Sequence, residues 1–179
     1  MPFTHDTEVA LQAAAVLVNT AQEPDELTTV AELQRFLEEH EYTGRRDLTV
    51  DELDAVRDVR ATLRRLLTAD REGAAALVNE LLAEARAVPQ LVRHGDYDWH
   101  IHATPQDAPL VTRIVVETAM AMIDLIRADD LSRLGLCADD DCDGIVLDLS
   151  RNRSKRFCST TCGNRNAVAA YRARQAGSD

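Results

Sequence analysis

All four cysteines of this chain fall between residues 137 and 162, as Cys137-Ala-Asp-Asp-Asp-Cys142 and, fifteen residues on, Cys158-Ser-Thr-Thr-Cys162-Gly163-Asn164-Arg165. Two pairs spaced Cys-x4-Cys and Cys-x3-Cys are what two short knuckles need to present four thiolates to one tetrahedral ion. One structural Zn2+ held by Cys137, Cys142, Cys158 and Cys162 is the expected chemistry. Four sulfur ligands fill the coordination sphere and leave no position for a reacting water, so such an ion holds a fold and does not catalyse. The alternatives are four free thiols, two disulfides in an exported protein, or a redox or Fe–S centre.

The segment around these cysteines has few large apolar residues: Leu134, Leu136, Ile145, Val146, Leu147, Leu149, Phe157, Val168 and Tyr171. A core that thin ordinarily requires a metal or a disulfide. Removal of the ion is therefore expected to unfold the C-terminal module and leave the rest folded.

The charge is divided as sharply as the cysteines. Formal net charge is -11, yet residues 150–178 carry Arg151, Arg153, Lys155, Arg156, Arg165, Arg172 and Arg174 without a single acid. With seven of the 20 basic residues there, the remainder sets thirteen against all 31 acids, or −18. A basic tail on an acidic body points to a local anionic partner, most simply double-stranded DNA, reached through the tail. A small module's need for a soluble surface accounts for only part of that charge. Since 19 of the 20 basic residues are arginine throughout the chain, arginine use in the tail is no separate sign of phosphate recognition.

The elements that must position these residues are mainly helical. At 179 residues the chain suits a body of residues 1–130 and a small module of residues 134–176. Apolar periodicity predicts helices over 8–19, from Thr29 to about Glu39, from Thr49 to about Thr68, over 74–87 and from Leu110 to Arg127. Thr29/Glu32 and Thr49/Glu52 have capping-box spacing. Gln90 to Ala103 changes to period two and predicts a hairpin turning at His94-Gly95-Asp96, with Trp99 and Ile101 on one face and His100 and His102 on a solvated other. The fold class is mainly α with a small β-hairpin (α+β), ending in a treble-clef or ribbon-like module ordered knuckle, strand, turn, strand, knuckle, helix. There Gly163 is expected to open backbone N–H groups to the thiolates. Asn164 is expected to cap a helix to about Gln175 that turns Val168 and Tyr171 inward. No apolar run reaches membrane-spanning length, and the acidic N-terminus lacks a signal peptide's basic region, so a cytoplasmic location is expected.

The run Leu147-Asp148-Leu149-Ser150-Arg151-Asn152-Arg153-Ser154-Lys155-Arg156-Phe157-Cys158, with Cys162-Gly163-Asn164-Arg165 and Tyr171-Arg172-Ala173-Arg174, resembles the CGNR zinc finger. In bacteria that finger follows an ABATE domain, described as a stress-induced transcription regulator. Leu17-Val18-Asn19-Thr20, the Trp99 hairpin and the helix after Pro109 are similar to that domain in order and spacing. The resemblance implies the four cysteines as zinc ligands and a non-enzymatic, DNA-binding regulator whose body senses a small-molecule effector or recruits a partner. On this reading Arg151, Arg153, Lys155, Arg156, Arg165, Asn166, Arg172 and Arg174 are the candidate DNA contacts, and a homodimer or transcription-machinery partner supplements a lone finger. The alternative is a protein- or RNA-binding zinc adaptor.

Overall fold

The computed structural model describes residues 3–93 and 98–176. Six α-helices and two antiparallel strand pairs follow in the order α1 (His5–Asn19), α2 (Val30–Glu39), α3 (Val50–Thr68), α4 (Arg71–Glu84), β1 (Gln90–Val92), β2 (His100–His102), α5 (Leu110–Arg127), β3 (Leu134–Leu136), β4 (Ile145–Leu147) and α6 (Thr160–Ala176). The expected turn at His94-Gly95-Asp96 lies outside the described residues.

The body is built around α5, which packs on α1, α3 and α4. Its buried positions Leu110, Ile114, Ala119, Ala121, Met122 and Leu125 follow helical periodicity. They meet Leu11, Leu17, Leu63 and Leu66 in one aliphatic core. Helix starts follow local chemistry. Thr29 and Glu32 close a reciprocal capping box on α2, and Thr49 accepts from the Glu52 N–H on α3. Helix α4 begins at Arg71, three residues earlier than the apolar pattern indicates, because the Asp70 carboxylate accepts from the Gly73 N–H. Arg60 fastens the loop after α1 to α3 through two bonds to Asp25, at 2.9 and 2.8 Å, and holds that carboxyl well below the usual range.

Two expectations are corrected by the strand pairs. The module's strands do not both lie between the cysteine knuckles. Instead β3, which precedes Cys137, pairs with β4 in the register Leu134↔Leu147, Gly135↔Val146, Leu136↔Ile145. The reason lies in Asp148, whose carboxylate accepts from the backbone N–H of Ser150 at 2.8 Å and of Lys155 at 2.6 Å. That curls residues 148–155 into a loop and denies them a ladder.

The hairpin β1–β2 is likewise turned over. His100 and His102 are half-buried, while Trp99 and Ile101 are exposed. The bond from the Val88 N–H to the Ala103 carbonyl and the pairing Gln90↔His102 set a register in which the histidine side is the more buried one. On α5 waits Glu117, half-buried, whose carboxyl burial pushes up to about 7 against the pull of Arg113 and His100. A carboxyl raised above its unfolded value near 4.3 costs the fold progressively as pH climbs from about 4.5 through 7. Glu117→Gln is therefore expected to gain about 2 kcal/mol over the parent at pH 8 and almost nothing at pH 4, read from denaturant melts at the two pH values.

The strand pair β3–β4 is not a separate island. Ile145 and Leu147 are 2% and 5% exposed and belong to the main aliphatic core, β4 lying along α1. Asn19, the last residue of α1, clamps the strand at its first residue. Its amide nitrogen donates to the Ile145 carbonyl at 2.8 Å, and its amide oxygen accepts from the Ile145 N–H at 2.6 Å. Asn19→Ala leaves both groups unpaired in a half-buried seam and is expected to cost about 2–3 kcal/mol. In a chain of this size that lowers the melting temperature by about 5–10 °C, measurable by calorimetry on the zinc-loaded protein.

Candidate metal centre and basic surface

Cys137 and Cys142 are presented by the knuckle between β3 and β4. Cys158 precedes α6, and Cys162 sits in that helix's first turn. The Cys137 N–H donates to the Gly144 carbonyl at 2.8 Å, closing the first knuckle, and the Ala138 N–H donates to the Arg156 carbonyl at 2.8 Å, binding the second knuckle to it. The four sulfurs all lie within 4.8 Å of one another, with Cys142 to Cys158 at 3.5 Å and Cys158 to Cys162 at 3.8 Å. Zn–S bonds of about 2.3 Å in a tetrahedron set sulfurs about 3.8 Å apart, so the cluster fits one zinc ion.

The surroundings are those of thiolates. N–H groups approach sulfur from Gly144 (to Cys142, 3.4 Å), Cys158 (to Cys137, 3.4 Å), Gln22 (to Cys142, 3.2 Å) and Arg165 (to Cys162, 3.5 Å). The Ser159 hydroxyl and the Arg165 guanidinium pull the Cys162 thiol down to about 7, while burial among neighbouring thiols pushes Cys158 up. Four such groups ionise together only beside a compensating cation.

Several residues at this centre were not legible as such in the sequence. The glycine that opens the site is Gly144 and not Gly163: a Cβ on Gly144 would stand 2.8 Å from the Cys158 sulfur, whereas Gly163 donates its N–H along the helix to Ser159. Asp139, buried within the run Asp139-Asp140-Asp141, accepts from Arg165 Nε at 2.8 Å and from the Asp141 N–H at 3.1 Å. Gln22 and Arg64 reach in from the body, Arg64 donating to the Asp143 carbonyl at 2.7 Å and to its carboxylate at 2.9 Å. A glycine two residues past a cysteine and an acid two residues past one are local signals that could have flagged Gly144 and Asp139. Nothing local marks Gln22 or Arg64.

The structure sorts the expected DNA contacts into two groups. Arg165 spans Asp139 and Cys162. Arg153 donates to Asp130 at 2.6 Å and to Ser132 at 2.9 Å, and Asn166 donates to the Cys162 carbonyl at 3.1 Å. Those three are tied to the protein by hydrogen bonds, although the Arg153 and Arg165 side chains stay 46% and 50% exposed. Arg151, Lys155, Arg156, Arg172 and Arg174 are exposed. The loop bearing the first of these is held from beneath by Asp148 and by Arg133, which donates to the Asp148 and Ser150 carbonyls at 3.0 and 3.2 Å. Arg156 lies over the Phe157 ring, 5.7 Å from its centroid.

Helix α6 differs from expectation at both ends of its role. It starts at Thr160, with the Ser159 hydroxyl accepting from the Cys162 N–H at 3.2 Å, so Asn164 lies inside it. Val168 and Tyr171 do not face inward but are 48% and 58% exposed, because α6 leaves the module at Cys162 and among the described residues none buries its later turns.

Comparison with known families agrees with this geometry. The family described as "Putative stress-induced transcription regulator", ABATE, matches residues 11–129. The chain belongs to the ABATE family. The CGNR zinc finger matches residues 133–175, directly after it. No curated protein matches the chain. Within this ABATE protein the signature Cys162-Gly163-Asn164-Arg165 gains a physical meaning: its cysteine is one of the four sulfurs placed to hold a zinc ion, and its arginine, one turn on, clasps that sulfur and the knuckle's Asp139. Both families are of regulator or zinc-finger type, and no described helix is long and apolar enough to cross a membrane.

Proposed function

We propose that this chain is a cytoplasmic DNA-binding transcription regulator in two parts. Residues 1–130 form the sensing or recruiting body, and residues 134–176 form the zinc module that docks on duplex DNA. The observation that carries the reading is α6: residues 167–176 are all exposed, although the helix includes Val168 and Tyr171. A helix with no packed face is marginal by itself and gains its partner from outside the molecule. Its basic residues Arg172 and Arg174 continue the charge of Arg151, Lys155 and Arg156 on the loop. No acid intervenes anywhere in 150–178. An α-helix of this kind fits the major groove, with arginines on phosphates and any sequence reading left to the side chains that face base edges.

In this arrangement Arg165, Arg153 and Asn166 hold the module's shape, while Arg151, Lys155, Arg156, Arg172 and Arg174 meet the DNA. The zinc ion, when bound, supplies a fixed tetrahedral anchor for both knuckles. Cys162 then fixes where α6 leaves the module, and Asn19 and Gln22 fix the module on the body. One finger offers few contacts, so a homodimer or a transcription-machinery partner is expected to supply the rest.

Selection of random duplexes by the zinc-loaded full chain tests the reading. An enriched motif that is lost with Arg172→Ala supports sequence-specific regulation; retention of duplex without enrichment leaves a nonspecific binder. A second reading is favoured by the exposed Val168 and Tyr171, which suit a protein- or RNA-binding zinc adaptor. Preference for an acidic protein or single-stranded RNA over duplex in the same competition would establish it.

A further inference from the structure

The four sulfurs of the knuckles are not equally shielded. Cys137 accepts from the Cys158 N–H at 3.4 Å, Cys142 from the Gly144 N–H at 3.4 Å and the Gln22 amide at 3.2 Å, and Cys162 from the Arg165 guanidinium at 3.5 Å. Among the described residues no N–H group donates to the Cys158 sulfur, whose neighbours are the sulfurs of Cys142 at 3.5 Å and Cys162 at 3.8 Å. Each N–H draws charge from the thiolate it meets and makes that sulfur a poorer nucleophile. Cys158 is therefore the sulfur with the most electron density to give.

It can also be reached. Cys137 and Cys162 are buried, whereas Cys142 and Cys158 are half-buried. Ser159, Thr160 and Thr161, which follow Cys158, are exposed. The sulfur without a donor is thus one of the two open to solvent, and the other, Cys142, stands closer to it than Cys162 does. An accessible thiolate with a second thiolate at hand reacts readily with an oxidant and is then caught as a disulfide before it climbs to the irreversible acids.

We propose that Cys158 is an oxidation site for hydroperoxides, that Cys142 resolves it, and that the resulting disulfide empties the cluster of zinc. The Cys158 thiolate attacks the peroxide: an S–O bond forms as the O–O bond breaks, and the departing hydroxide or alkoxide takes a proton from water. The Cys142 thiolate then attacks the Cys158 sulfur: the S–S bond forms, the S–O bond breaks, and hydroxide leaves and is protonated by solvent. Two thiolates have lost two electrons, and the peroxide has gained them. Cys137 and Cys162 remain, and two thiolates are not the closed four-ligand set of a structural zinc ion. The reaction belongs to the cluster alone and stands whether or not the module binds DNA.

Hydrogen peroxide added to the zinc-loaded full chain tests the proposal, with zinc release followed by a chromophoric chelator and the cysteines mapped by mass spectrometry. With dimedone present to trap sulfenic acid, the first adduct is expected on Cys158. Without it, a Cys142–Cys158 disulfide should form in step with zinc release, and a thiol reductant with added zinc should reverse both. Cys158→His, which keeps a three-cysteine, one-histidine zinc set, should slow release by about 10-fold or more, and Cys162→His by about 3-fold or less. A first adduct on another cysteine, a disulfide other than Cys142–Cys158, or zinc retained on four reduced thiols under excess peroxide overturns the proposal. The mapping is made on the parent chain, so it decides even where a histidine variant fails to hold zinc.

Discussion

Chelation of zinc from the full chain is expected to lower its melting temperature by about 10–15 °C, beyond unfolding the C-terminal module. The short distance between module and body dictates the size of the effect. Ile145 and Leu147 belong to the main core, and the Asn19 clamp and the Gln22 contact with Cys142 bridge the two parts. Losing the ion releases both knuckles, and β4 then loses the fixed register that inserts those side chains. Withdrawing Ile145 and Leu147 and breaking the Asn19 bonds removes about 3–5 kcal/mol from the body. At roughly 2–4 °C per kcal/mol this yields the stated shift. Calorimetry with and without chelator, and again on Cys158→Ser, measures it. A body transition that stays at its original temperature while only the α6 dichroism is lost would restore the simpler expectation of an independent module.

The second large effect separates two kinds of arginine. Reversing Arg156 and Arg172 to Glu together is expected to weaken duplex binding by about 100-fold or more at low salt, with zinc content unchanged and the melting temperature lowered by no more than loss of the exposed Arg156–Phe157 ring contact accounts for, because both side chains are exposed. Arg165→Ala is expected to do the reverse. It unpairs the buried Asp139 and removes a donor from Cys162, so zinc affinity should fall by about 10-fold or more, and DNA binding should fail only as zinc is lost. Zinc competition with a chromophoric chelator, run beside DNA anisotropy on both variants, reads the two effects separately. Loss of DNA binding in Arg165→Ala at full zinc occupancy would place Arg165 on the nucleic acid instead.

What the sequence made legible was chemistry dictated by local spacing. The four cysteines, the capping residues Thr29 and Thr49, the aliphatic stripe of α5 and the abrupt change of charge sign after Asp148 each depend on neighbours a few residues away. What stayed hidden depends on partners far along the chain. The pairing of Leu134–Leu136 with Ile145–Leu147 could not be read because the strand before Cys137 is three residues long and contains a glycine, which gives periodicity no purchase. Val168 and Tyr171 were expected inward on the general rule that apolar helix positions are buried, a rule that fails where, among the described residues, none buries the helix. The hairpin was turned over for a similar reason. Alternation separates two faces but does not say which one is the more buried, and the register with Val88 and Ala103 that decides it is not a local signal. Asn19 was visible as part of Leu17-Val18-Asn19-Thr20, yet its role is a pair of bonds to a backbone 126 residues away.

The most direct test of a zinc-anchored basic helix that docks on DNA is the affinity of the zinc-loaded full chain for duplex DNA across a salt series. Contacts from three to five of Arg151, Lys155, Arg156, Arg172 and Arg174 predict a slope of log affinity against log salt between about −3 and −4.5, abolished by chelation. No binding at the lowest salt, or binding whose slope and strength survive removal of the zinc, would contradict it.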